Sequence, residues 1–246
     1  MLLRRFTEHL KTQNWVAIWL DLTVVVVGIF LAFQVERWYA LQSEASNAYE
    51  RLSSLSEDVA RNLQVLDRHI QRRDEQIEAA ENLLELDSGN AADIGPDEFY
   101  GLLSKVSNSI TPRFQRGAYD LLISTGQLDL VQLPALKSAL AEFYAAVDEF
   151  VVYNQGSWSS HRNTFEPYII NNLDHAALLR RIHPEAFDSI TPSYQPKQFA
   201  DVIGNGIFEG IIVQRRHAMV DERGRLLRLL DGAKEIDRLL SESSRL

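Results

Sequence analysis

Residues 17–35 read AIWLDLTVVVVGIFLAFQV, an apolar run carrying one acid, Asp21, near the start of a chain of 246 residues. Counted from Trp15 to Gln34, the run is about 20 residues long, enough at ~1.5 Å per residue to cross a ~30 Å hydrocarbon layer as a helix. Trp15 and Trp19 stand at one end and Phe33, Trp38 and Tyr39 at the other, the two levels at which amphipathic rings settle among headgroups. Arg4, Arg5 and Lys11 precede it against Glu8 alone, whereas Glu36, Glu44, Glu50 and Glu57 outnumber Arg37 and Arg51 beyond it. This bias places residues 1–14 in the cytoplasm, 15–35 in the membrane and 36–246 outside. A cleaved signal peptide would have an apolar core of ~7 to 15 residues with a small-x-small site close behind. Ser43-Glu44-Ala45 lies too far past Val35, so an uncleaved anchor is expected.

Asp21 stands two residues past Trp19, within reach of headgroups and water, where a carboxylate costs a fraction of the ~2.5 to 3.5 kcal/mol of a mid-membrane acid. At 100° per residue, Ala17, Asp21, Val24, Gly28, Ala32 and Val35 share one stripe. Gly28-x-x-x-Ala32 has the small-xxx-small spacing that lets two helix backbones approach in lipid. The stripe therefore reads as a helix-association face that also offers Asp21 a partner; the alternative is a monomeric anchor with Asp21 wetted at the interface.

Past Val35 the composition turns acidic: setting aside Arg4, Arg5, Lys11, Glu8 and Asp21 leaves 22 Lys and Arg against 32 Asp and Glu. Such a surface argues against nucleic acid, which selects basic patches. There is no cysteine, so neither disulfides nor a thiolate zinc site is available, and stability rests on packing.

Between Gly28 and Gly89 there is neither Gly nor Pro, and good helix formers dominate. The membrane helix is expected to continue outward, with Trp38, Leu41, Ala45, Ala48, Leu52, Leu55 and Val59 forming a bundle seam. A stutter to Leu63, Leu66, Ile70, Ile77 and Leu84 follows, with Gly89 as C′ cap. Pro96 opens a short helix to about Val106. Two further long helices are expected near 134–166 and 208–243. The first has a seam of Leu136, Leu140, Phe143, Val147, Val151, Asn154, Trp158, His161, Phe165 and Tyr168, and the second has Met219, Leu226, Leu229, Ala233, Ile236 and Leu240. Pro167 should kink or end the middle helix. An up-down-up bundle is the simplest arrangement.

Residues 109–131, SITPRFQRGAYDLLISTGQLDLV, match residues 189–211, SITPSYQPKQFADVIGNGIFEGI, at a constant offset of 80. Ser109, Ile110, Thr111, Pro112, Gln115, Ile123 and Gly126 recur as Ser189, Ile190, Thr191, Pro192, Gln195, Ile203 and Gly206, which reads as an internal duplication. In each copy, Thr before Pro should cap a short helix that the glycine ends. The fold class is then all-α: one N-terminal transmembrane helix continuing into an extracytoplasmic helical bundle with an internal duplication.

No catalytic signature accompanies this architecture. The six histidines lack metal-ligand spacing, and neither Glu-x-x-His nor His-Glu-x-x-His occurs. Asn154 and His161 on the middle seam read as a bundle polar layer fixing register. Gly204-Asn205-Gly206 with Gly210 has no strand before it, so it is not a dinucleotide loop. Arg215 to Arg238 is interleaved with acids and reads as a solvated, salt-bridged helix face.

Two stretches carry a resemblance. Asp21 followed by VVVVGIFLAFQVERW resembles the membrane signature of an uncharacterised bacterial family of single-pass proteins: an acid, a Val/Ile-rich run, Gly-Ile, then Gln shortly before Trp. RGAYDLLISTGQLDLVQLPALKSALAEFYAAV is similar to that family's second block, and together they cover about half the chain. Asp21 stands where the family has Glu, and Glu36-Arg37 where it has Asn before the Trp. The resemblance implies a membrane-anchored helical domain and brings no active-site residues.

The expected function is a non-enzymatic module of the bacterial inner membrane, with its C-terminal domain periplasmic, that senses, scaffolds or docks through protein contacts. The partner is another transmembrane protein or a second copy, and no cofactor or metal is called for. With ~14 residues expected on the cytoplasmic side, any signal would pass to that partner. An accessory subunit of a larger membrane complex is the alternative, and a periplasmic enzyme is a third reading.

Overall fold

A computed structural model of the chain describes residues 15–86, 94–126, 128, 133–187 and 198–243, without the side chains of 15–18, 21 and 39–49. Among the described residues there is no strand. Eight α-helices occur: α1 (Trp15–Leu84), α2 (Pro96–Ser107), α3 (Gly117–Ser124), α4 (Pro134–Ser160), α5 (Glu166–Asn172), α6 (His175–Ile182), α7 (Pro184–Phe187) and α8 (Gly206–Ser243). A π-helical turn, His161–Phe165, joins α4 to α5, and a 3₁₀ turn, Phe199–Asp201, precedes α8. The chain divides into two units, Met1–Leu52 and Ser53–Leu246.

In the first unit the described apolar side chains, Trp19, Leu20 and those from Leu22 to Val35, are all exposed. Thr23 folds its hydroxyl back onto the carbonyl of Trp19 at 2.7 Å, satisfying the group within the helix. A Cβ added at Gly28 would meet nothing within 4 Å. Among the described residues no helix is long and apolar enough to cross a membrane; the side chains of Ala17, Ile18 and Asp21, which complete the run, lie outside them. Gly89 and residues 189–197 are also outside.

The second unit is built on three long helices. Arg73 on α1 meets Glu222 on α8, and the pairs Asp74 with Arg223 and Glu81 with Arg216 flank it. Numbers that rise along α1 fall along α8, so these helices are antiparallel. Ser157 of α4 meets Glu222, and Phe143 lies against Gly232, which makes α4 antiparallel to α8 as well. Consequently α1 and α4 run parallel. The expected up-down-up order is corrected to two parallel helices and a third returning between them, and the chain from 94 to 133 must cross back along the bundle.

That crossover explains why the first repeat copy is not a helix from Pro112. Residues 108–116 are irregular, and Asn62, fully buried on α1, takes the backbone of Gln115 as an amide partner: Nδ2 donates to the carbonyl at 2.8 Å and Oδ1 accepts the N–H at 2.7 Å. Tyr144 on α4 also donates to that carbonyl, at 3.1 Å. Asp58 then accepts the Ala118 N–H at 2.9 Å, a cap for α3 supplied from another helix rather than by Thr111. Gly126, at φ +67°, terminates α3 as expected. In the second copy its counterpart Gly206 instead opens α8, and the positive φ falls on Gly204 at +76°. Where both copies are described, from Gln198 on, they differ: α3 runs up to its glycine, whereas α8 starts at its own.

The buried positions of α1 are Leu55, Val59, Asn62, Leu66, Arg73, Gln76, Ala80 and Leu83, with His69 half-buried in the series and Ala79 buried beside Ala80. This is an unbroken 4-3 rhythm, and the expected stutter disappears. Leu63, Ile70, Ile77 and Leu84 are only half-buried flanking residues. Along α8 the same rhythm runs through Phe208, Ile212, Arg215, Met219, Glu222, Leu226, Leu229, Ala233, Ile236 and Leu240. On α4 it runs from Leu136 through Leu140, Phe143, Val147 and Phe150 to Asn154; after His161 the steps become four and four, to Phe165 and Ile169. The π turn supplies the extra residue. Pro167 has no N–H and its ring would clash with the carbonyl four residues back, so the wider turn lets the helix continue to Asn172.

The register yields a direct test. Leu66→Ala should destabilise the protein by about 2 to 5 kcal/mol in chemical denaturation, as a buried truncation does, and Leu63→Ala by less than about 1 kcal/mol. Equal losses would restore the stuttered seam.

Candidate functional site

Arg73 and Glu222 are both about 98 % or more withdrawn from solvent, at 2 % and 1 % side-chain exposure, and meet at 2.6 Å between Arg73 NH2 and Glu222 Oε2. Neither charge could be buried alone. The second carboxylate oxygen accepts from Ser157 Oγ at 2.6 Å, and Arg73 NH1 donates to Gln76 Oε1. Gln76 in turn donates Nε2 to the carbonyls of Lys105, at 2.9 Å, and Asn108. Arg215 Nε donates to the Val106 carbonyl at 3.1 Å. Two α1 and α8 side chains therefore cap the C-terminal end of α2, where free carbonyls and the negative end of the helix dipole favour a donor and a cation. One continuous polar chain links four helices.

His161 and Asn154, read from the sequence as a polar layer, are both buried, but the structure gives them separate surroundings. Asn154 accepts from Thr111 Oγ1 at 2.7 Å, which fastens the crossover to α4. His161 is the first residue of the π turn and lies flat between Trp158 and Phe165, with centroids 5.6 and 4.8 Å away. Burial first, and then the Arg215 charge, lower its pKa from 6.5 to about 4. Of the face expected from the sequence to associate in a membrane, Val24 is exposed and a Cβ at Gly28 would touch nothing among the described residues, while the side chains of Ala17 and Asp21 lie outside the described residues. Ala32 is exposed.

The solvated-face reading of Arg215 to Arg238 is corrected at two positions. Arg216, Arg223 and Arg238 pair at the surface, but Arg215 and Glu222, seven residues apart, point inward. Sequence reasoning also missed Asn62 and Gln76, whose seam positions were assigned to Leu63 and Ile77, and Arg73, which fell between Ile70 and Ile77. A signal existed. Steps of seven from Ile70 to Ile77 and from Met219 to Leu226 left gaps in the seams, and charged or polar residues lie in both.

Two cavities adjoin His161 and Phe165. One, of about 430 Å³, reaches to Arg215 on α8; the other, of about 420 Å³, collects His175 and His183 from the two ends of α6. Three histidines thus line one space, yet among the described residues no group of three His, Cys, Asp or Glu could hold a metal ion. His161 is neutral at ordinary pH and far too weak a base for proton abstraction near pH 7. Ser157 gives its proton to a carboxylate already neutralised by Arg73. The arrangement suits binding and positioning more than proton transfer.

No known family model matches the chain, and no curated protein or solved structure matches it significantly.

Two measurements probe the network. Glu222→Ala strands Arg73 and should cost about 3 to 5 kcal/mol in chemical denaturation, whereas Arg73→Met combined with Glu222→Leu should recover most of that loss. For His161, the unfolded chain takes up a proton below pH 6.5 that the folded chain refuses until about pH 4. Its contribution is therefore intact above 6.5 and falls away toward pH 4, by up to about 3 kcal/mol. His161→Phe should flatten the stability profile between pH 6.5 and 4 relative to the parent, and identical profiles would contradict this.

Proposed function

We propose that the chain is a non-enzymatic, membrane-anchored helical module of the bacterial envelope that works through protein contacts. One observation carries the reading: every described side chain from Leu22 to Trp38 is exposed, and Trp19, Val24, Phe30 and Phe33 are each at least 60 % so. A helix apolar all round, rather than along one stripe, is covered by lipid or by a protein core. The described part of the run is shorter than a bilayer, and it reaches spanning length with residues 15–18 and 21. The span therefore rests on the sequence, supported by its aromatic ends, by the basic flank before it and by the resemblance to single-pass proteins.

The orientation follows from the same flank, with residues 1–14 cytoplasmic and 36–246 periplasmic. The stripe of Ala17, Asp21, Val24, Gly28 and Ala32 is the face for a second transmembrane helix, from a partner protein or another copy. Open space around Gly28 supports this use, since nothing among the described residues occupies the closest approach the stripe allows.

Carbonate-washed bacterial membranes should retain the protein, and its release into the soluble fraction would refute the anchor. Within retained protein, Gly28→Leu should abolish crosslinking between neighbouring helices while leaving membrane retention unchanged. Asp21→Asn then separates the charge from its hydrogen bonding: lost crosslinking assigns the contact to the ionised carboxylate, and retained crosslinking assigns it to hydrogen bonding and packing.

A further inference from the structure

Arg215 is a buried cation with too few partners. The inner cluster of the bundle contains two guanidinium groups, Arg73 and Arg215, and one carboxylate, Glu222, which is engaged by Arg73 and Ser157. Arg215 is 5 % exposed; its Nε holds the Val106 carbonyl, and its NH2 has no hydrogen-bond partner among the described residues. Burial pulls its pKa down to about 10, so it stays charged at neutral pH. His161, 9 % exposed, likewise leaves Nδ1 unpartnered. Buried polar groups without partners are rare and call for an explanation.

Both residues line the cavity of about 430 Å³. Its walls include Gly156 and Phe165 on the α4 side and Ile211 and Ala218 on α8, so most of the surface offered is apolar. The size falls within the range of small-molecule pockets. At about 30 Å³ per heavy atom it admits roughly 10 to 14 of them. The wall on the His161 side is the π turn, a widened element that recurs at binding sites. Asp221, exposed, lies on the cavity's margin and hydrogen-bonds Tyr153, which repels an anion from that end and directs it toward Arg215. A metal cation is disfavoured by Arg215, and a fully hydrated inorganic anion by the apolar walls.

We propose that this cavity binds a small organic carboxylate, its anionic end paired with Arg215 and His161 and its apolar or aromatic body lying along Phe165, Ile211 and Ala218. The flat stack of His161 on Trp158 and Phe165 sets the imidazole plane, and a neutral imidazole donates one N–H to a carboxylate oxygen without needing a proton from solvent. A carboxylate supplies the charge that the cluster lacks and brings two acceptor oxygens to a guanidinium.

The test uses the full chain in a mild-detergent buffer, which holds it in solution with or without an anchor, with the detergent buffer alone as blank, titrated calorimetrically with 1-naphthoate, its neutral isostere 1-naphthamide, and acetate. Saturable one-to-one binding of 1-naphthoate is expected, with the amide and acetate each at least tenfold weaker. A Cβ at Gly156 meets nothing within 4 Å, so Gly156→Leu fills the cavity without a clash and raises helix propensity. It should abolish binding while keeping the parent unfolding temperature. Arg215→Lys, which keeps the charge and loses the fork, should weaken binding about fivefold to tenfold. Equal binding of naphthoate and naphthamide, unchanged binding by Gly156→Leu, or no saturable heat above the blank would each overturn the proposal. None of these outcomes depends on the membrane reading, because the cavity lies wholly within residues 53–246.

Discussion

Burying Arg73 against Glu222 is the constraint that the second unit is organised around. Each charge removes the penalty of the other only where α1 and α8 lie side by side in one register, and a slip by a turn would leave two uncompensated ions in an apolar interior. Apolar seams tolerate such slips far better, since one leucine layer resembles the next. The pair therefore acts as a locator. Ser157 extends it to α4, and Gln76 with Arg215 extends it to the end of α2, so the relative heights of four helices are set by one connected group of polar atoms.

A second set of polar contacts performs the same service for the crossover. Between α2 and α3 the chain has no helix to satisfy its backbone, and every buried amide must find a partner elsewhere. Asn62 provides a side-chain copy of a peptide group, Tyr144 adds a hydroxyl, Asp58 caps α3 and Asn154 takes the Thr111 hydroxyl. The parallel arrangement of α1 and α4 depends on this seam of side-chain to backbone bonds as much as on leucine packing. Tyr119 of α3 stacks on Tyr144 of α4, centroids 4.2 Å apart.

Much of this was legible before any coordinates. The helical class, the three long helices, the Pro96 start and the burial of Leu136, Phe143, Asn154, His161 and Leu226 follow from composition, proline chemistry and period. The failures share one cause. Hydropathy periodicity recognises a core position only when an apolar residue fills it, so Asn62 and Gln76 were passed over for Leu63 and Ile77, Arg73 and Glu222 fell in gaps between apolar positions, and Arg215 lay ahead of the expected seam. Helix direction was hidden for a related reason, because it is fixed by pairs such as Asp74 with Arg223, 149 residues apart, which no local pattern encodes. The repeat misled differently: in the first copy α1 supplies partners to the backbone just after Ser109-Ile110-Thr111-Pro112, and they favour an irregular chain over a helix.

The long separation between the two ion-pair partners also sets an order of events during synthesis. At about 5 to 20 residues per second, Glu222 emerges roughly 7 to 30 s after Arg73. Throughout that interval α1 and α4 carry half-built seams, and Arg73 must remain hydrated. The inner faces of both helices cannot close until α8 arrives. The nascent chain thus keeps its polar core open to water until α8 has been made, a state in which a chaperone can still hold it.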